Sequence, residues 1–214
     1  MSIVEAKNIS YTYPDGSKAL QNIDLAVEKG EFVGLLASNG SGKTTLLRSL
    51  NGLIKPQAGE VAIDGEAIAT LPQKVLFQRI GMVFQNPNDQ LFASTVAEDV
   101  AFGPSNMGLP KDEVKSRVED SLKAVGMEDL GKKSIHNLSF GQQKRVCIAG
   151  ALAMHPEVLL LDEPTAGLDP MGEHKIMELL LKLNRERGLT IVMATHMVDM
   201  VPNIISRIYI LSKG

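Results

Sequence analysis

Ala37-Ser-Asn-Gly-Ser-Gly-Lys-Thr44 follows the apolar run Val33-Gly-Leu-Leu36 and opens a stretch that carries Leu46, Leu47 and Leu50 on one side before Gly52. A buried strand, a glycine-rich turn and a helix, in that order, are the context of a phosphate-binding loop. The glycines let the backbone curl so that several N–H groups point inward, and the helix N-terminus adds a partial positive charge. Lys43 is spaced to reach the β- and γ-phosphates of a nucleotide, and the Thr44 hydroxyl to bind Mg²⁺. One position departs from the usual pattern: Ala37 stands where such loops begin with glycine, which is tolerable only if that residue sits at negative φ.

Working outward, residues 158–161 and 190–194 are also nearly all apolar. That is how strands buried on both faces of a parallel sheet read. Val158-Leu-Leu-Leu-Asp-Glu163 then ends in two acids, delivering carboxylates to the C-terminal edge of a strand, where open α/β sheets bind ligands. Alone, such a run is more often than not a strand passing into solvent. Beside the 37–44 loop, Asp162 is assigned to hold Mg²⁺ through its water shell and Glu163 to activate the attacking water. Residues 3–9 and 20–27 alternate like half-exposed antiparallel strands, with a Tyr-Pro-Asp-Gly turn at 13–16 between them. Helical periodicity covers 43–51, 111–125 (Val114, Val118, Leu122 and Val125, then Gly126) and 173–187 (Ile176, Leu179, Leu180 and Leu183, then Gly188). Between about 86 and 155 the strand signal vanishes and helices dominate.

The expected fold is therefore α/β: a P-loop NTPase core with a mainly parallel sheet, N-terminal antiparallel β strands and a helical insertion. The 214 residues suit one domain, with 1–85 and 156–214 as the core and 86–155 as the helical part. Hydrophobic residues make up 44% and charged ones 22%, which excludes disorder as the main reading. Twenty-two basic residues against 25 acidic ones give a net charge of −3, so bulk electrostatics exclude a general nucleic-acid or anionic-membrane binder. One cysteine, Cys147, excludes an internal disulfide framework; mid-helix among apolar residues, it reads as a buried inert thiol. No segment approaches the ~20 apolar residues of a membrane helix, and the N-terminus does not read as a signal peptide.

A third motif, Leu138-Ser-Phe-Gly-Gln-Gln143, precedes a helical stretch at 143–154. It resembles the signature sequence of ABC ATPases, usually Leu-Ser-Gly-Gly-Gln. The other family elements stand in the expected order. Tyr13 resembles the aromatic that stacks on adenine, Gln85, after a strand at 80–84, the glutamine-loop residue, Thr165-Ala-Gly-Leu-Asp169 the D-loop, and His196 the switch histidine. The resemblance covers essentially the whole chain. Tyr13-Pro-Asp-Gly, Val83-Phe-Gln-Asn-Pro-Asn-Asp-Gln-Leu-Phe92 and Lys144-Arg-Val-Cys-Ile-Ala-Gly150 further resemble the ATP-binding subunits of energy-coupling-factor importers, most of all the cobalt/nickel branch.

That resemblance implies an ATPase powering a membrane importer, with cobalt or nickel ions as the leading cargo and a vitamin or other small molecule as the alternative. It implies two nucleotide-binding subunits, identical or different, that sandwich two ATP molecules head to tail. One subunit would contribute Tyr13, Ala37, Ser38, Asn39, Gly40, Ser41, Gly42, Lys43, Thr44 and Thr45. The other would contribute Ser139, Gly141 and Gln142, and Asp169 would be a further nucleotide-binding residue. Glu163, His196 and Gln85 would be catalytic, and Thr44, Gln85 and Asp162 would hold Mg²⁺. The implied partners are a transmembrane coupling subunit and a substrate-capture subunit, with no nucleic acid, at the cytoplasmic face of the membrane. A soluble ABC ATPase of DNA repair or translation usually carries a second cassette or a long coiled-coil insertion, and neither is seen. A non-hydrolysing switch is disfavoured by Glu163 and His196. Met82, Met107 and Met193 are candidates for an adaptable contact surface. Finally, 207–211 reads as a strand and 212–214 as the start of a turn, so the chain is expected to be truncated or short beside its family.

Overall fold

The computed structural model describes residues 2–38, 40–196 and 205–212. Asn39 of the phosphate loop and Lys213 and Gly214 of the expected final turn lie outside them. In chain order the strands and α-helices are β1 (Ser2–Thr12), β2 (Lys18–Glu28), β3 (Phe32–Ala37), α1 (Lys43–Leu50), β4 (Ala58–Ile63), β5 (Glu66–Ala67), α2 (Gln73–Arg79), β6 (Ile80–Val83), α3 (Val96–Asn106), α4 (Lys111–Ala124), α5 (Phe140–Leu152), β7 (Val158–Asp162), α6 (Pro170–Arg187), β8 (Thr190–Thr195) and β9 (Arg207–Leu211).

Two sheets form. An antiparallel one has the order β2-β1-β4-β5, and a parallel one the order β6-β7-β8-β3-β9. The parallel strands are apolar on both faces because both faces are covered. Leu159, Leu161, Ile191 and Met193 join one core with α3, α4, α5 and α6. Their neighbours Val158, Leu160, Val192 and Ala194 join the other, with α1 and the antiparallel sheet. Alternate residues of a strand point to opposite faces, so one apolar run serves two cores. Met193 is 2% exposed within the first core, which corrects its assignment to a contact surface.

Helix ends follow local chemistry more closely than apolar periodicity indicated. α5 begins at Phe140 rather than Gln143, because Ser139 and Gln142 form a reciprocal capping box. α6 begins at Pro170 rather than Glu173, with the Asp169 carboxylate accepting from the Gly172 N–H at 2.6 Å and proline at the first turn. Hydrophobic spacing misses both starts because the first helical turn carries no core residue. The Gly52 that stops α1 has φ +75°, a conformation glycine adopts without steric cost.

Parallel pairing sets the functional edge. Leu36 pairs with Thr195, and Asp162 with Ala194, so β3, β7 and β8 end side by side. The 37–44 loop, the pair Asp162 and Glu163, and His196 all leave from that edge. β9 pairs with β3 through Arg207–Leu211 and is the outer strand of the described sheet. Among the described residues, no helix is long and apolar enough to cross a membrane.

Candidate functional site

The phosphate loop is shaped by two constraints. Gly42 caps α1 at φ +96°, and a Cβ there would lie 2.2 Å from the Ala19 carbonyl oxygen, so only glycine lets the loop pass β2. Ala37 closes β3 and does not have positive φ, which meets the condition its side chain imposes. The Lys43 ammonium donates to the Ala37 carbonyl at 2.9 Å and the Ser38 carbonyl at 3.1 Å. It also lies 3.5 Å from Glu163 Oε1. One lysine thus spans the loop and faces the acid at the end of β7.

Asp162 and Glu163 are both buried. Thr44 Oγ1 donates to Asp162 Oδ2 at 2.6 Å, while Asp162 Oδ1 has no hydrogen-bond partner. Burial pushes the Asp162 carboxyl above its usual range; the Thr44 hydrogen bond opposes this, and the charge of Glu163 adds to it. A hydroxyl beside a half-satisfied carboxylate is an oxygen donor set of the type hard divalent cations take. Glu163 Oε2 is held by His196 Nδ1 at 2.8 Å, and Oε1 makes no hydrogen bond. With the carboxylate ionised, His196 Nδ1 carries the hydrogen in that bond. Glu163 sits at φ +47°, a left-handed conformation that typically costs a non-glycine residue about 1–3 kcal/mol. The surrounding bonds hold it there: its N–H donates to the Ala194 carbonyl at 3.0 Å, and its own carbonyl accepts from Ala166 N–H at 3.1 Å.

Tyr13, Gly40, Gly42, Lys43, Thr44, Thr45, Gln85, Asp162, Glu163 and His196 line a single cleft of about 500 Å³, together with Ser17, Lys18 and Ala19. Tyr13 is anchored by a 2.9 Å hydrogen bond to Thr45 Oγ1 and by an edge-on contact with Tyr11. Ser41 lies within the loop with its buried hydroxyl unpaired. The remaining candidates lie elsewhere. Ser139, Gly141, Gln142 and Asp169 line a second cleft of about 490 Å³ with Phe140, Leu168 and Lys175, and share no lining residue with the first. Within one chain the two groups do not meet. The Phe140 ring lies against Gly167, where a Cβ would approach it to 3.1 Å.

A strand-loop-helix phosphate site facing two strand-end carboxylates, with a capped signature helix on a separate face, agrees with the family comparison. The family model described as ABC transporter matches residues 20–166. The chain belongs to the ABC transporter ATPase family. This ABC ATPase is 60% identical to a putative ABC transporter ATP-binding protein of Geobacter sulfurreducens, over 96% of this chain and 74% of the relative. It is 54% identical to the energy-coupling factor transporter ATP-binding protein EcfA of Methanocaldococcus jannaschii, over 100% of this chain and 77% of that one. Among solved structures it resembles cbiO1 from Clostridium perfringens, part of the ABC transporter complex cbiONQ, with TM-score 0.91 and 45% identity, covering 100% of this chain and 86% of that one. It also resembles a dimeric ATP-binding cassette in a post-hydrolysis state bound to ADP and phosphate, with TM-score 0.87 and 36% identity, covering 99% of this chain and 95% of that one.

Sequence reading missed Lys144, which lies on α5 between the two clefts and is 1% exposed. The signal was present: positions 144, 147, 148 and 151 share one helix face, and the other three are Cys147, Ile148 and Ala151, all buried. A lysine on such a face needs partners. Cys147 is as expected, with burial pushing its thiol up to about 12.

Lys43→Ala should weaken ATP binding at least about tenfold, since a charge-assisted phosphate contact typically contributes 1.5–3 kcal/mol. Titration of the variant with a fluorescent ATP analogue checks this. An unchanged dissociation constant would remove Lys43 from the nucleotide contacts.

Proposed function

We propose that this ABC ATPase powers a membrane importer of the energy-coupling-factor type by hydrolysing ATP in a site completed by a second nucleotide-binding subunit. The observation that carries the coupling is an apolar cleft at the junction of β6 and α3. Phe92 is 64% exposed and Phe102 49% exposed, and their rings meet edge to face at 4.6 Å. Phe77, Met82, Phe84 and Met154 line the same cleft, and Gln85 directly follows Phe84. Exposed clustered aromatics mark interaction surfaces. This cleft suits the apolar face of a helix from a transmembrane coupling subunit, next to the segment that carries Gln85 to the nucleotide. A substrate-capture subunit completes the proposed assembly, which sits peripherally at the cytoplasmic face of the membrane. Relatives named energy-coupling factor ATP-binding proteins and a structural neighbour from an ABC transporter complex support this reading. Cobalt or nickel as cargo rests on the sequence resemblance alone; a vitamin or other small molecule is the alternative.

In the proposed reaction Tyr13 stacks on the adenine, and Ala37, Ser38, Asn39, Gly40, Ser41, Gly42, Lys43, Thr44 and Thr45 surround the phosphates. Thr44, Asp162 and Gln85 would hold Mg²⁺, which supplies charge neutralisation on the phosphate oxygens when bound. Glu163 Oε1 takes the proton of the attacking water, with His196 holding the other carboxylate oxygen and Lys43 standing 3.5 Å from Oε1, so that the carboxylate is aimed. Ser139, Gly141, Gln142 and Asp169 of the second subunit close over the γ-phosphate, with the N-terminus of α5 directed at the anion. Two separate half-sites on one chain, and a dimeric cassette among its structural neighbours, support this composite arrangement.

The test is copurification from native membranes with identification of the bound subunits. The intact chain should bring down membrane-embedded partners, and Phe92→Asp should lose them by placing a charge in the apolar cleft. Undiminished recovery with Phe92→Asp, or recovery of soluble proteins only with the intact chain, would overturn the coupling.

A further inference from the structure

Lys144 lies just past the first turn of α5, yet its ammonium is carried inward and not to solvent. It donates to the Gln85 carbonyl at 2.5 Å and the Glu163 carbonyl at 3.2 Å, and stands 5.4 Å from the centre of the Phe140 ring. These three contacts lie on three separate parts of the chain: the segment leaving β6, the end of β7, and the turn that opens α5. Burial pulls the Lys144 pKa down, which marks the charge as costly to keep there. A buried ammonium carries a desolvation cost that an apolar side chain of similar size avoids. Packing alone therefore does not account for a lysine at this position. What the ammonium adds is directional: it holds two backbone carbonyls, one of them on the left-handed Glu163 whose side chain points at Lys43 and His196.

We propose that Lys144 is a positioning residue for ATP hydrolysis, its ammonium clamping the Gln85 and Glu163 backbones to the helix that Ser139 caps. Releasing the clamp lets the Glu163 peptide relax and swings its carboxylate off line, while the phosphate loop is untouched. Because one group holds both carbonyls, a shift of α5 relative to β6 and β7 reaches Gln85 and Glu163 together. The proposal rests on Glu163 as the general base.

Lys144→Met keeps the length and the apolar stem and removes the ammonium. It should leave the melting temperature within about 5 °C, since the lost hydrogen bonds and the relieved desolvation oppose one another, and KM for ATP within about threefold, while kcat falls on the order of 10- to 10²-fold, the cost typical of small misplacements in a reacting group. Lys144→Gln, which retains a donor, should lie between Lys144→Met and the parent and covers the case in which the methionine variant does not fold. In a Glu163→Gln background, Lys144→Met should reduce the residual hydrolysis by a smaller factor than in the parent, since the part of its effect that acts through Glu163 is already lost and only the part through Gln85 remains. Phosphate release from radiolabelled ATP measures the parent and all four variants. A Lys144→Met kcat within twofold of the parent, a loss confined to KM, or fully multiplicative effects with Glu163→Gln would overturn the clamp. So would a lowered melting temperature in both lysine variants that accounts for the missing activity. Normal turnover by Glu163→Gln alone would overturn the base assignment, and the clamp with it. An inactive Glu163→Gln beside a fully active Lys144→Met overturns the clamp only.

Discussion

Glu163→Gln should lower the steady-state ATPase rate by at least about 10²-fold, the lower end of what a general base typically contributes. The amide keeps the shape of the carboxylate and still offers an oxygen to His196 Nδ1, now 2.8 Å from Glu163 Oε2. It cannot accept the water proton at the position of Oε1, the oxygen that makes no hydrogen bond. The residues around the phosphates are unchanged, so ATP affinity should persist. Lys43 loses its 3.5 Å ion pair with Glu163 and retains its bonds to the Ala37 and Ser38 carbonyls. With binding intact and turnover blocked, the variant should accumulate as an ATP-bound dimer, seen by light scattering on a sizing column. A variant that hydrolyses ATP at the parent rate would show that the base has been misassigned.

Gly141→Asp should reduce ATP-driven dimerisation by about three orders of magnitude. In the isolated chain the position has room: an added Cβ would meet only Leu168 Cδ2, at the ordinary contact distance of 3.5 Å. The substitution therefore leaves the fold and the nucleotide cleft of the same chain unaffected. Its cost falls on the composite site, where the N-terminal turn of α5 would approach the γ-phosphate held by the second subunit. Two like charges at about 4 Å repel by roughly 4 kcal/mol at an effective dielectric near 20. The clean measurement is made in the Glu163→Gln background, where the trapped dimer is counted without turnover. Normal dimerisation by the doubly substituted protein would remove residues 139–142 from the nucleotide interface.

The two experiments probe parts of the molecule that were legible to different degrees. Ala37-Ser-Asn-Gly-Ser-Gly-Lys-Thr44 is a local device: the strand before it, the glycines within it and the helix after it are all encoded within twenty residues. The apolar runs at 158–161 and 190–194 likewise read as strands covered on both faces, because they are shorter than a typical buried helix. Weakly patterned elements were not readable. β4 is exposed along its first three residues, and α3 carries Pro104 in its interior. Their structure comes from pairing with β1 and packing on α5, contacts distant in sequence.

Sequence alone thus determined the α/β class, the family resemblance, and the phosphate loop and strand-end acids, each a short motif with its own physical reason, while Tyr13, Gln85 and His196 entered through the resemblance. Tertiary structure decided what no local pattern carries. The register that aligns Leu36 with Thr195 and Asp162 with Ala194 puts three separate motifs on one edge. The left-handed turn at Glu163 aims its carboxylate between Lys43 and His196. Lys144, which in sequence is one charge among many, gains its place only when α5 packs against β6 and brings its ammonium to the carbonyls of Gln85 and Glu163. A buried cation is defined by the partners that surround it, and those partners lie 59 and 19 residues away.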